Sequence, residues 1–217
     1  MTHFAKKHLI ICDLDDTLYD ESHYFSIVFE AFEIAKQVQS GSLMHSYLLI
    51  ERKKSADILK DVLMGCGLFC TSNHNFLFDI YTNIKRAISL PQATLLFLHR
   101  LKKEGCTIAV LTNGVVKVQQ NKVTLLGIEP LCDKIFYARD NHQGYEKPDP
   151  RCFQFVLDTF QCCASDAIVI GDHYDNDVKG GQSCGIDSLW LGGFGAVGIA
   201  KLADALPYIL DTKNEKN

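Results

Sequence analysis

Leu9-Ile10-Ile11-Cys12 is an apolar run with no polar residue alternating through it. A strand wetted on one face would show that alternation, so the run predicts a strand covered on both faces of a parallel sheet. It ends abruptly in Asp13, Asp15 and Asp16. From about Ser22 to Leu90 the apolar positions shift to three- and four-residue spacing. Phe25, Val28, Phe29, Phe32 and Ala35 form one stripe, broken at Ser40-Gly41-Ser42, and Leu43, Tyr47 and Ile50 form a second. Ile58, Leu59, Val62 and Leu63 form a third, stopped at Gly65-Cys66-Gly67, and Phe76, Leu77, Ile80, Tyr81, Ile84 and Ile88 form a fourth. Four helices are expected, with their aromatic residues serving as packing.

From Pro91 onward strand and helix patterns alternate. Helices are predicted over Gln92–Glu104, with Gly105 as its stop, and over Val116–Leu126, Pro150–Phe160 and Val178–Cys184. Strands are predicted over Thr107–Leu111, Lys134–Ala138, Ala167–Ile170 and, as the last one, Asp187–Leu191. This rhythm builds crossovers between parallel strands. The fold class is α/β, a doubly wound, Rossmann-like parallel sheet formed by residues 1–21 and 91–217. A helical unit, residues 22–90, interrupts it after the first strand. The tail from Asp211 is expected to fray.

Composition narrows the function classes. The 217 residues are 47% hydrophobic and 22% charged, an ordinary globular balance. A net charge of −4 gives no electrostatic case for a nucleic-acid polymer or a membrane surface. No apolar run is long enough to cross a bilayer, and a cytoplasmic location is expected. The nine cysteines lack zinc-site spacing and read as reduced, mostly buried thiols.

Candidate chemistry lies at the strand ends, because ligands of open α/β sheets bind beyond the carboxyl ends of the strands. Asp13 and Asp15 are two apart and leave the same face of an extended chain. At an effective dielectric of about 20 and a separation of about 4 Å their repulsion costs about 4 kcal/mol. The pair therefore needs a cation, a shared proton or side chains turned apart; taken alone, the stretch also reads as a solvated acidic turn. The second strand ends in Thr112-Asn113-Gly114, whose hydroxyl and amides suit an anionic oxygen. Lys147 precedes a proline in Glu146-Lys147-Pro148-Asp149-Pro150, and a later strand ends in Gly171-Asp172-His173-Tyr174-Asp175-Asn176-Asp177.

In this order the four segments resemble the motifs of the haloacid dehalogenase (HAD) superfamily, in the branch with a helical cap inserted after the first motif. Asp13-Leu14-Asp15-Asp16-Thr17-Leu18 resembles the first motif, Thr112 the second, Lys147 the third, and Asp172 with Asp177 the fourth. The resemblance implies a phosphatase that forms an aspartyl phosphate on Asp13, with Asp15 as acid and then base. It implies that Thr112 and the Asn113 amide hold phosphoryl oxygens, that Lys147 offsets charge and that Asp177 positions Lys147. It also implies Mg²⁺ held by the Asp13 and Asp172 carboxylates and the main-chain carbonyl of Asp15. The expected partner is a small phosphorylated metabolite, and Val118-Gln119-Gln120 after the Thr112 turn leans toward nucleotide or sugar phosphates. Asp15 argues against dehalogenation, which needs no second aspartate. A phosphomutase and a catalytically silent binding module are the alternatives, and oligomeric state is left open. His173 stands where the family often has a small hydroxyl residue. It and His23 read as exposed loop histidines, and Asp16 and Asp175 as loop-supporting acids.

Overall fold

In the computed structural model, which describes residues 6–52, 55–140 and 145–210, six strands form one sheet. They are β1 (Leu9–Cys12), β2 (Thr107–Thr112), β3 (Lys134–Tyr137), β4 (Ala167–Gly171), β5 (Asp187–Leu191) and β6 (Gly198–Ile199). Their order is β3-β2-β1-β4-β5-β6 and every pairing is parallel. β1 is central, with Leu9 in register with both Thr107 and Ala167. The winding reverses at this strand, which places its carboxyl end at the topological switch point.

Both faces of β1 are covered. Ile10 and Cys12 join Ile108, Val110, Ile168 and Ile170 in one core. Leu9 and Ile11 point the other way, into a core with Phe153, Val156 and Leu157 of helix α7 (Pro150–Phe160). Each fully buried aliphatic side chain contributes roughly 1.5–3 kcal/mol, so neither face of β1 tolerates a polar residue. The first core continues into α5 (Gln92–Lys103) and α6 (Val116–Leu126). Gly105 follows α5 at φ 74°, a left-handed conformation that only glycine adopts without strain.

Between β1 and α5 lie α1 (Ser22–Lys36), α2 (Gly41–Glu51), α3 (Ile58–Gly65) and α4 (Thr71–Asn83). α1 buries the expected stripe of Phe25, Val28, Phe29 and Phe32, together with Tyr24. It packs on α2 and α4, and α4 rests on α6. Among the described residues no helix is long and apolar enough to cross a membrane.

Several expectations are corrected. The fourth helix ends at Asn83 rather than Ile88: Ile84 turns extended at ψ 138°, and its carbonyl accepts from Asn121 Nδ2 of α6 at 2.8 Å. Ile84 and Ile88 still pack on the core from the linker, which is why the apolar spacing runs past the helix end. The helix assigned to Val178–Cys184 begins earlier, as a π-helical turn at Tyr174–Lys179 that leads into α8 (Gly180–Ser183). β5 is not the last strand, since β6 pairs with it through Trp190 and Gly198; two residues carry no periodicity to read. All nine cysteines are free, but only Cys12, Cys106, Cys132 and Cys152 are buried. The tail from Asp211 lies outside the described residues.

Candidate active site

The site grows from the end of β1. The Asp13 N–H donates to the Ile170 carbonyl at 2.9 Å, extending the sheet by one residue and fixing Asp13 between β2 and β4. Lys147 reaches it from the segment before α7. Its Nζ lies 2.6 Å from Asp13 Oδ1 and 2.6 Å from Asp177 Oδ1, with all three side chains close to fully buried. The lysine's backbone is held by Asn113, whose Nδ2 donates to the Lys147 carbonyl at 2.8 Å while Oδ1 accepts from the Lys147 N–H at 3.0 Å. The Asn113 side-chain amide is thus committed to aiming Lys147.

Asp177 comes from the π-helical turn, and its Oδ2 accepts from the His173 N–H at 3.0 Å. A Cβ on Gly171 would sit 2.2 Å from Asp177 Cγ, so only glycine can end β4 beneath that carboxylate. Asp172 is anchored through its backbone: its N–H donates to Thr17 Oγ1 at 3.1 Å, and its carbonyl accepts from Trp190 Nε1 at 2.8 Å. One oxygen each from Asp13, Asp172 and Asp177 lies within 4.8 Å of the others. A cluster of carboxylate oxygens is the donor chemistry of a hard cation such as Mg²⁺.

The electrostatics agree with that fit. Burial pushes the Asp13 carboxyl well above its usual range; Lys147 pulls it back only in part, and Asp177 and Asp15 push it further. Burial, with Asp16 and Asp177 nearby, pushes Asp172 up to about 6. Protein cations do not fully match this corner's carboxylates, and a divalent ion would relieve them.

Asp15 faces a different set. Oδ1 accepts from the Tyr19 hydroxyl at 2.7 Å, Lys122 Nζ lies 2.9 and 3.1 Å from the two oxygens, and Gln119 Nε2 donates to Oδ2 at 2.7 Å. Burial pushes this carboxyl up, but Lys122, Tyr19 and Gln119 outweigh it and hold it below the usual carboxylate range. Gln119 also donates to Thr112 Oγ1 at 2.6 Å, tying the end of β2 to the same cluster. Lys122 is wholly buried, donates to Glu21 Oε1 at 2.5 Å, and lies 5.2 and 5.6 Å from the ring centroids of Tyr24 and Tyr81. Burial opposes its charge, yet Asp15 and Glu21 raise its pKa well above normal. Glu21 also pairs with Arg52, whose Nη2 lies 2.7 Å from Asp16 Oδ2.

The two clusters share one cavity of about 490 Å³. Asp13, Asp15, Thr112, Asn113, Lys147, Asp172 and Asp177 line it from the sheet, and Leu49, Arg52 and Ser55 face them from α2 and the residues beyond it. Every site residue expected from the sequence therefore reaches one place. His173 lines the rim, where its Nδ1 accepts from the Asn176 N–H at 3.2 Å, while His23 is exposed elsewhere. Asp16 supports its loop by accepting from the Glu21 N–H at 3.0 Å, and Asp175 pairs with Lys179 at the surface. Sequence reading missed Tyr19, Glu21, Arg52 and Lys122, and took Gln119 only as a hint of substrate class. A signal existed in α6, where Gln119 and Lys122, one turn apart, interrupt an otherwise apolar face of Val118, Val123 and Leu126.

Comparison with known proteins gives a consistent set of similarities. The sequence profile of haloacid dehalogenase-like hydrolases matches residues 10–191. The glyceraldehyde 3-phosphate phosphatase of Methanocaldococcus jannaschii is 27% identical over 198 residues, which cover 82% of this chain and 81% of that one. The phosphoserine phosphatase of Thermus thermophilus is 30% identical over 95 residues, 44% of this chain and 37% of that one. Among solved structures, the magnesium-bound HAD-hydrolase YfnB of Bacillus subtilis superposes with a TM-score of 0.75 at 18% identity, over 94% of this chain and 99% of that one.

Proposed function

Because the chain belongs to the haloacid dehalogenase-like hydrolases and is a phosphoric monoester hydrolase, we propose that it cleaves a small phosphomonoester through a phosphorylated Asp13. The observation that carries this reading is the placement of Asp13. It stands at the carboxyl end of the central strand, at the floor of the cavity, 2.6 Å from Lys147 and clustered with Asp172.

In the first displacement an Asp13 oxygen attacks phosphorus as the bond to the alcohol oxygen breaks; Asp15, which takes up a proton once it turns away from the Lys122, Tyr19 and Gln119 donors that hold it ionised, passes that proton to the departing alkoxide. In the second, Asp15 accepts a proton from water as that water attacks phosphorus, and the Asp13 carboxylate is released. Lys147 neutralises the charge shared by Asp13 and the phosphoryl group, with Asp177 holding the ammonium and Asn113 its backbone. Thr112, which lines the cavity, holds a phosphoryl oxygen. Mg²⁺, held by Asp13, Asp172 and the main-chain carbonyl of Asp15, would supply neutralisation of the phosphoryl oxygens when bound.

The helical unit of residues 22–90 acts as a cap that reads the leaving group through Leu49, Arg52 and Ser55. The cavity volume and the relatives' substrates favour a small metabolite such as a triose or sugar phosphate, with nucleotides as the wider class. Phosphate release with Mg²⁺ from a panel of these compounds, native chain against Asp13→Asn, tests the reading. Release that the substitution abolishes supports it; release that survives the substitution overturns it.

A further inference from the structure

We propose that Lys122, retained by Glu21, is the positioning residue for Asp15: it holds the carboxylate between turnovers and sets the place from which that side chain meets the leaving group. The inference rests on the acid and base reading of Asp15. A carboxylate offers about four lone-pair sites. Tyr19, Gln119 and two contacts to Lys122 account for four hydrogen bonds to Asp15. To reach an alkoxide oxygen and then a water at Asp13, Asp15 has to give up at least one of these partners.

What remains behind decides whether the exchange is feasible. An unpaired ammonium in a wholly buried position is costly, and removing one partner of a buried pair typically destabilises by about 3–5 kcal/mol. Lys122 avoids that state because Glu21 accepts from the same nitrogen on its other side and the faces of Tyr24 and Tyr81 flank it. Glu21 is in turn fixed by Arg52. The ammonium stays paired whichever way Asp15 points. Buried ion pairs are often no more stabilising than apolar residues of equal volume, so a charge kept here points to a use beyond stability. The arrangement also reaches the junction with the helical unit: Lys122 stands on α6 of the sheet unit, and the Tyr24 and Tyr81 rings beside its ammonium belong to α1 and α4.

The test separates positioning of Asp15 from general support of the fold. Native protein, Lys122→Met, Lys122→Arg and Glu21→Gln are assayed with Mg²⁺ on 4-nitrophenyl phosphate, whose leaving group needs no proton, and on an alkyl phosphate, whose leaving group does. Lys122→Met should retain a stoichiometric burst of nitrophenolate but slow by roughly 10²-fold in the steady state, because water activation on the phosphoenzyme still needs Asp15. On the alkyl phosphate kcat should fall by a similar factor with KM nearly unchanged and no burst. Lys122→Arg should recover part of the loss, and Glu21→Gln should show the same pattern at roughly tenfold. If Lys122→Met does not fold, the Glu21→Gln pattern decides. Equal losses in burst and steady state, or no loss on the alkyl phosphate, would overturn the proposal. Failure of the underlying reading looks different: Asp15→Asn would then turn over the alkyl phosphate as fast as the native protein.

Discussion

Around Asp13 stand one ammonium and two further carboxylates, Lys147, Asp177 and Asp172; around Asp15 stand an ammonium, a phenol and an amide, all donating to it. Both side chains are largely buried and their backbones are two residues apart, so the difference comes from partners alone. The Asp13 corner is left short of positive charge, and the Asp13 and Asp172 carboxyls are pushed up. The Asp15 corner is satisfied from within, and its carboxylate is held down. The repulsion expected of the Asp13–Asp15 pair is thus resolved in two ways at once: Asp15 turns to Lys122, which it shares with Glu21, and Asp13 shares Lys147 with Asp177 while leaving room for another cation. A divalent ion has reason to settle on the first corner and not on the second.

Substitutions can break this contrast. The largest effect belongs to Asp13→Asn, which should lower phosphate release by roughly 10³-fold or more, in the range seen when a covalent nucleophile is removed. Steady-state phosphate assays measure it. Next comes Lys147→Met. It should cost roughly 10²–10³-fold in kcat, as loss of one preorganised charge-stabilising donor does. It should also lower stability by about 3–5 kcal/mol, because Asp13 and Asp177 lose the cation between them. Denaturant titration would show Mg²⁺ restoring part of the Lys147→Met loss and none of any stability loss caused by Lys122→Met, which lies outside the metal corner.

The third prediction concerns pH. Asp172 titrates near 6 in the metal-free protein against 3.8 for an ordinary aspartate. Between those values the native state binds more protons than the unfolded chain. Its contribution to stability is therefore fully present below 3.8 and is lost as pH rises through 6. Cation binding needs the ionised form, so the gain in Tm on adding Mg²⁺ should be large above about pH 7 and fade below about pH 6. Differential scanning calorimetry at several pH values reads both trends, and Asp172→Asn should flatten them. The smallest effect is expected from Trp190→Phe, which removes the donor to the Asp172 carbonyl. About 1 kcal/mol is at stake, seen as a several-fold higher Mg²⁺ concentration for half activation.

What the sequence disclosed follows the same division. Asp13, Asp172 and Asp177 sit at strand ends or in the turns that follow and Lys147 stands just before α7, and strands covered on both faces announce themselves as unbroken apolar runs such as Ile168-Val169-Ile170. The partners of Asp15 were missed because they belong to no motif at a strand end: Gln119 and Lys122 show in the sequence only as polar interruptions of the apolar face of α6. The end of α4 was misread because its stop is a side chain of α6 and not a glycine or proline. The π-helical turn was misread because its first four residues, Tyr174 to Asp177, are all polar and look like a loop until Asp177 is seen buried against Gly171.

The central claim is that phosphorus is displaced twice, first by Asp13 and then by water. The most direct test is the stereochemical course of hydrolysis of an isotopically chiral phosphomonoester by the Mg²⁺-loaded native chain. Two in-line displacements predict retention of configuration at phosphorus; inversion would mean that water attacks the substrate directly and would contradict the phosphorylated Asp13.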